Sequence, residues 1–432
     1  AFLSACYTGS DLYVVRDLRP SSPEIAGWII KEALAGGFTV FDCGALPTPA
    51  LAFAAKGYAA IMVTGSHIPA DRNGLKFYLP SGEISKADEI RILDALGSAP
   101  PSGLAGTSKA FDANTAFIER YETAYGAEAL SGLRIGVYEH SSVARDLLVD
   151  LVARLGAKPV SIARSETFIP VDTEALDPAT QALFAGWIKE HALDVLISTD
   201  GDADRPMLVD EAARVVPGDV LGALTALALE AEVICTPISS NTQVDSLFGT
   251  VKRTRIGSPH VVAAMEETLA TNAEASVVGY EANGGFLLGF EAKGNTGALA
   301  PLMTRDCLLP IIAPLAAAKA QNKPISAMVT ALPSRFTAAD RLQGIPTEAS
   351  AQFLQGMSSD VSKRTAFFET ASPEADVDLT DGLRVTFENG EIVHLRPSGN
   401  APEFRCYTEA PSFARASELL ALHLDKLQRV LG

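Results

Sequence analysis

Apolar and polar positions along the 432-residue chain follow two alternating rhythms. "DLYVVRD" (11–17) reads as a buried strand, and "SSPEIAGWIIKEALAGG" then carries Ile25, Ile29 and Ala33 on one helical face. Ser22 is the expected cap, Pro23 the first helical position, and Gly36 with Gly37 the stop. "FTVFDCG" (38–44) reads as the next strand, so the three elements predict a βαβ unit with parallel strands and a right-handed crossover. A short helix after Pro49 and the strand "AAIMV" (59–63) continue the alternation.

The rhythm restarts at 133, where strands at "RIGVYE", "KPVSIA" and "DVLIS" enclose two helices. It restarts again near 232 with "EVICTP", "RTRIG", the helix "PHVVAAMEETLATN" and the strand "ASVVGY". Three times an apolar strand runs into a polar loop: "TGSHIPADRNG", "TDGDADRP" and "EANGG". Open parallel sheets place ligands at such strand ends. After a linker around 322–340 the pattern changes to a hairpin, "GLRVTFENGEIVHLRPSG", with Asn389-Gly390 as the turn, and an amphipathic closing helix. The expected fold is α/β: three similar α/β domains with mixed or parallel sheets, plus a C-terminal α+β domain.

A hydrophobic content of 47% suits several buried cores, and a net charge of -17 argues against nucleic-acid binding and against bulk-charge adhesion to anionic membrane. Cys6, Cys43, Cys235, Cys307 and Cys406 show no zinc or redox spacing and suit a reducing compartment. The run Leu308 to Ala318 is too short and too proline-broken to span a bilayer. A soluble cytoplasmic protein is expected. The start, "AFLSACYTGSD", has no Met and reads as the end of a helix closing at Gly9, so an upstream segment is expected to be missing.

Asp200, Asp202 and Asp204 stand at i, i+2 and i+4, a spacing that lets carboxylates converge from an extended loop. Three hard oxygens suit Mg2+ or Ca2+ rather than zinc. An EF-hand is rejected: Arg205 stands where its glycine belongs, and strands flank the loop. The plainer reading is an acidic solvated turn. Ser66 and His67 form a dipeptide that is ordinarily turn chemistry, and a serine nucleophile needs a proton acceptor or a metal beside it. No G-x-S-x-G elbow surrounds Ser66. Lys76 adds a cation, its ordinary reading being a snorkelling surface lysine. Arg396 and Arg405 with Ser398, Gly399 and Asn400 combine guanidinium forks and a glycine turn, a phosphate cradle in an acidic body. Glu281 and Asn283 offer a carboxylate and an amide suited to sugar hydroxyls.

In this order the four loops resemble the α-D-phosphohexomutase superfamily, most closely its bacterial phosphomannomutase/phosphoglucomutase branch. "TGSHIP", "DGDADRP", "GYEANGG" and "RPSGNAPEFR" carry the resemblance, which spans nearly the whole chain. It implies four domains around a central cleft: 1–130 with the phosphoserine loop, 131–222 with the metal loop, 223–335 with the sugar loop and 336–432 with the phosphate loop. It implies that Ser66 carries the transferable phosphoryl group and that Asp200, Asp202 and Asp204 hold Mg2+ with a phosphoryl oxygen on Ser66. Lys76 matches a lysine of proton transfer, for which its pKa would have to be lowered, and His67 stands as a nearby cation. Arg205, Glu281, Asn283, Arg396, Ser398, Gly399, Asn400 and Arg405 would bind substrate.

The implied activity interconverts hexose 1-phosphate and hexose 6-phosphate, mannose first and glucose second, with a hexose 1,6-bisphosphate as intermediate and activator. Rivals are phosphoglucosamine mutase, a metal-dependent sugar phosphatase and a non-catalytic sugar-phosphate binder. Partners would be small phosphosugars, with no nucleic acid or membrane, for a monomer or homodimer. The chain departs from the family pattern in lacking a Ser-Gly-x-Arg-Gly loop. It also reads "EANGG" for Glu-x-Ser-Gly-His and "NAP" for Thr-Glu-Pro, and His260 lies near the third-domain specificity loop.

Overall fold

The computed structural model describes residues 1–98, 105–174, 176–368, 372–398 and 402–432, in two compact units. The first comprises Ala1–Ile234 and Met265–Val329; the second comprises Cys235–Ala264 and Thr330–Gly432.

In the first unit, Asp11–Arg16 lies between Thr39–Ala45 and Ala59–Val63, parallel to both. Leu75–Leu79 and Gly82–Glu83 extend this sheet on one edge and Thr107–Ala110 on the other. "AAIMV" is buried at every position, as a central strand covered on both faces must be. From Asp11–Arg16 the chain crosses first to one neighbour and later to the other. A topological switch point therefore lies beyond the carboxyl ends of Asp11–Arg16 and Ala59–Val63. The "TGSHIP" loop starts there.

A second sheet repeats the plan: Arg134–His140 has Lys158–Arg164 on one side and Val195–Thr199 on the other, both parallel to it. Pro206–Val209 adds an antiparallel edge. A third group of strands, Val277–Tyr280, Phe286–Leu288 and Leu302–Asp306, is antiparallel. In the second unit, Phe336–Gln343, Glu403–Ala410, Ile392–Pro397, Leu383–Phe387 and Glu374–Asp378 pair antiparallel in that order. Helix Phe413–Leu431 packs its Leu427 into a core with Val385, Leu395 and Phe404.

Three local expectations are corrected. Ser22 does not cap: the helix Ser22–Ala35 begins with it, and its hydroxyl donates to Asp17 instead. The linker around 322–340 contains helix Ile325–Thr330 and the start of strand Phe336–Gln343. In the hairpin turn, Gly390 N–H bonds the Phe387 carbonyl and Gly390 alone takes a left-handed backbone, so the loop is longer than a two-residue Asn-Gly turn.

Candidate active site

Ser66 sits in left-handed backbone, φ 50°, a conformation a serine adopts only when its surroundings hold it there. The holding groups come from the neighbouring strand end. Thr64 Oγ1 accepts the Ser66 N–H at 2.8 Å and donates to Asp17 Oδ2 at 2.8 Å. Arg19 is fully buried beside them and pairs with Asp17 through Nε at 3.0 Å. Its Nη1 donates to the Pro69 and Arg72 carbonyls at 2.5 and 2.9 Å. Its Nη2 donates to Ser66 O and Ile68 O, each at 2.7 Å. One guanidinium thus ties four carbonyls of the loop to the sheet.

Asp200, Asp202 and Asp204 follow strand Val195–Thr199, and their carboxylates do converge: one oxygen from each lies within 4.8 Å of the others. The reason differs from the one expected. The loop is a tight turn with Ala203 at φ 57°, in which Asp200 Oδ1 accepts the N–H groups of Asp204 and Arg205 at 3.2 Å. Strands on both sides exclude the EF-hand. Ser66 Oγ donates to Asp200 Oδ2 at 2.7 Å, and Thr48 Oγ1 to Asp202 Oδ2 at 3.0 Å. Gly201 is needed for closeness, because a Cβ there would meet the Phe168 ring at 2.9 Å.

Two cations already face this cluster. Lys76 Nζ lies 2.5 Å from both Asp202 Oδ2 and Asp204 Oδ2, and Arg305 Nη2 lies 2.6 Å from the same Asp204 oxygen. Asp202 Oδ1 and Asp204 Oδ1 are buried with no hydrogen-bond partner among the described residues. Buried carboxylate oxygens in that condition are costly unless a cation answers them, so the donor set fits a hard divalent metal ion.

Burial and the neighbouring Asp202 and Asp204 raise the Asp200 carboxyl well above the usual range. Burial alone would lower Lys76, but the attraction of Asp202 and Asp204 outweighs it and raises its pKa. In this arrangement Lys76 is therefore protonated, against the expected lowered pKa. His67 is also corrected: burial first, and Arg205 second, lower it to about 4, so its ring is neutral rather than a cation. Its Nδ1 is 3.4 Å from Ser66 Oγ.

The loop 281–285 turns against the same cluster. Glu281 Oε2 lies 3.6 Å from Arg305 Nη1. Asn283 is only partly available to a ligand, since its Oδ1 accepts the Gly285 N–H at 2.9 Å, which leaves the amide N–H2. Arg205 Nε is 4.0 Å from Asp200 Oδ2 and from Asp204 Oδ1.

In the second unit Arg396 stands directly opposite Arg405, which stands opposite Arg341 on the next strand. Three arginines thus lie in a row across three strands. Arg396 Nε pairs with Asp381 at 2.9 Å, while Arg405 and Arg341 share Glu403 at 3.6 and 3.3 Å. Ser398 N–H bonds Glu403 O at 2.8 Å, and Gly399 and Asn400 lie outside the described residues.

Family models for the four phosphoglucomutase/phosphomannomutase domains match in sequence order. Alpha/beta/alpha domain I matches 1–99, domain II 115–213, domain III 217–336 and the C-terminal domain 358–425. The chain belongs to the phosphoglucomutase/phosphomannomutase family.

Among relatives of the family, a phosphomannomutase of Sinorhizobium fredii is 45% identical over 97% of this chain and 90% of its own. One of Salmonella muenchen is 42% identical over 96% and 87%. A crystal structure of a family protein from Burkholderia thailandensis superposes with a TM-score of 0.78 at 22% identity, over 98% of this chain and 90% of that one, and supports the fold. Within this family the loop motifs located Ser66, Lys76, the three aspartates, Glu281 and Asn283, which the fold gathers into one unit. Sequence reading missed Arg19, Arg305 and Arg341. Each is a single arginine at a strand or strand end, a signal visible only once strand pairing is known.

Proposed function

We propose that this phosphohexomutase interconverts hexose 1-phosphate and hexose 6-phosphate, with mannose as the leading substrate, through phosphorylated Ser66. The carrying observation is the Ser66 hydroxyl 2.7 Å from Asp200 in a three-carboxylate cluster that Lys76 also enters. The names of the two phosphomannomutase relatives favour mannose over glucose and glucosamine.

A Mg2+ ion held by Asp200, Asp202 and Asp204 would neutralise phosphoryl oxygens. The protein otherwise positions the reactants and balances charge, which is most of what phosphoryl transfer requires. Thr64 and Arg19 hold Ser66 toward Asp200. A sugar hydroxyl oxygen bonds to phosphorus as the bond from phosphorus to Ser66 Oγ breaks; Lys76 gives a proton to Ser66 Oγ and takes up the one the hydroxyl releases, so the ammonium is restored. Lys76, protonated here, enters the same carboxylate cluster that the Ser66 hydroxyl meets, which supports this role. The resulting hexose 1,6-bisphosphate turns over and returns its other phosphoryl group, so a bisphosphate activates the resting enzyme. Glu281 and the Asn283 amide bind sugar hydroxyls, Arg205 lies beside the reacting carboxylates, and Arg396, Ser398, Gly399, Asn400 and Arg405 grip the phosphate that does not react. The cytoplasm, where phosphosugars are made, is the proposed location. Among the described residues no helix is long and apolar enough to cross a membrane.

The test is intact mass after incubation with glucose 1,6-bisphosphate and Mg2+. One added phosphoryl group on wild type but not on Ser66→Ala is expected. No addition to wild type would overturn the reading. Comparing mannose, glucose and glucosamine 1-phosphates then assigns the sugar.

A further inference from the structure

Arg305 reaches the cluster from a strand that none of the four loop motifs includes. Leu302–Asp306 pairs with Phe286–Leu288 so that Phe286 faces Asp306 and Leu288 faces Leu302. Four steps on one strand oppose two on the other, and bulges of this kind re-aim the side chains beside them. The Arg305 side chain is 15% exposed, with Nη2 2.6 Å from Asp204 Oδ2 and Nη1 at a loose 3.6 Å from Glu281 Oε2. A guanidinium carries five N–H donors, and among the described residues only one acceptor is close.

Gly285 makes room for it. A Cβ there would lie 2.6 Å from Arg305 Cδ and 2.8 Å from Cγ, closer than carbon atoms approach. Gly285 is absent from the residues of left-handed backbone, so its conformation does not require glycine. The space taken by the arginine stem does.

Charge points the same way. Lys76, Arg205 and Arg305 face Asp200, Asp202 and Asp204, with Glu281 3.6 Å from Arg305 and Asp172 3.9 Å from Arg205. A divalent ion on those carboxylates would add two positive charges to the set, which a phosphoryl dianion would offset. An ion held by Asp204 would compete with Arg305 for that carboxylate, leaving guanidinium donors for the anion.

We propose that Arg305 is a further catalytic residue of the phosphoryl transfer, a guanidinium that binds the non-bridging oxygens of the moving group, and that Gly285 is the partner position that admits it. This rests on the mutase reading above. As the bond to Ser66 Oγ breaks and the bond to the sugar oxygen forms, those oxygens keep their charge, and a planar fork can hold two of them throughout.

The experiment compares wild type with Arg305→Ser, Arg305→Lys, Gly285→Ala and the double variant Gly285→Ala/Arg305→Ser, each first loaded with a phosphoryl group by prolonged exposure to glucose 1,6-bisphosphate. Single-turnover transfer from phosphorylated Ser66 to mannose 1-phosphate should slow about 100-fold in Arg305→Ser, the usual loss for one donor to a developing charge. Arg305→Lys should recover only part of it. Gly285→Ala should slow transfer in the presence of Arg305 yet change it less than about twofold in the Arg305→Ser background, because the two positions act as one. Calorimetric Mg2+ binding to the unphosphorylated protein, a readout free of turnover, should tighten in Arg305→Ser, where Asp204 has lost a competing cation. A merely structural Arg305 predicts additive losses and unchanged or weaker Mg2+ binding, and either result overturns the proposal. If Arg305→Ser fails to fold, Gly285→Ala decides it, wild-type transfer rates in that variant being the overturning result. Failure of wild type to take up a phosphoryl group would instead remove the mutase reading itself.

Discussion

Ser66, the proposed phosphoryl carrier, shows how little of a site's geometry lies in one residue. Its type and its neighbours in "TGSHIP" were legible, because a nucleophile beside a metal loop needs those residue types. Its left-handed backbone was not, since it depends on Thr64, Asp17 and Arg19, which reach it across the sheet. Thr64→Val keeps shape and burial but removes both hydrogen bonds, leaving the Ser66 N–H without a partner while Asp17 Oδ2 keeps only Arg19 Nε. Urea unfolding should show a loss of about 1–3 kcal/mol, the usual penalty for stranding a buried polar group. The same change should lower kcat while leaving KM within about twofold, because loosening Ser66 affects the transition state more than ground-state binding. An unchanged kcat in a destabilised protein would show that Thr64 serves the fold alone. His67 and Lys76 make the complementary point. Their positions followed from the motif, but their protonation depends on burial and on carboxylates distant in sequence, so the expected cationic ring and lowered lysine were not what the fold produced.

Among elements, continuous apolar runs were the readable ones. "AAIMV" and "DVLIS" became Ala59–Val63 and Val195–Thr199, strands buried at every position, and the closing helix became Phe413–Leu431. Strand Phe336–Gln343, "FTAADRLQ", was read as part of a linker because it is a largely exposed edge with little apolar patterning. It nevertheless carries Arg341 into register with Arg405 and Arg396. Like charges directly opposite on neighbouring strands repel, and Glu403 and Asp381 are the acids that pair with them at distances of 2.9–3.6 Å. An anion over the row would relieve that repulsion, which makes Arg341 an extension of the proposed phosphate grip. Arg341→Gln should raise KM for mannose 1-phosphate about fivefold, on the order of 1 kcal/mol for an exposed charge, with kcat nearly unchanged. Arg405→Ala should raise KM further. The effect of Arg341→Gln should shrink in high salt, as screening predicts, and a KM insensitive to the substitution at low ionic strength would remove Arg341 from the grip.

For the whole molecule, acid stability is where buried side chains and sequence composition part company. A net charge of -17 suggests a protein eased by mild acid, since protonation would reduce its self-repulsion. Buried histidines argue the opposite. His140, His394 and His423 are enclosed, and burial lowers each to about 4. Above pH 6.5 each ring is neutral whether the chain is folded or not, so stability is fully present. Between 6.5 and about 4 the unfolded chain takes up protons that the folded one refuses, so stability falls with pH and levels off below that. Each ring contributes roughly 3 kcal/mol across the window, at about 1.4 kcal/mol per pH unit. Asp200, raised by burial and its neighbours, acts with opposite sign, binding its proton in the folded state and favouring folding as pH falls. The difference between two proteins isolates one ring. Urea unfolding free energies of wild type and His423→Met, measured from pH 7.5 to 5.0, should diverge with a slope near 1.4 kcal/mol per unit once below 6.5, wild type losing more. Parallel curves would mean that His423 takes up its proton inside the fold as readily as outside, and that the closing helix yields around it.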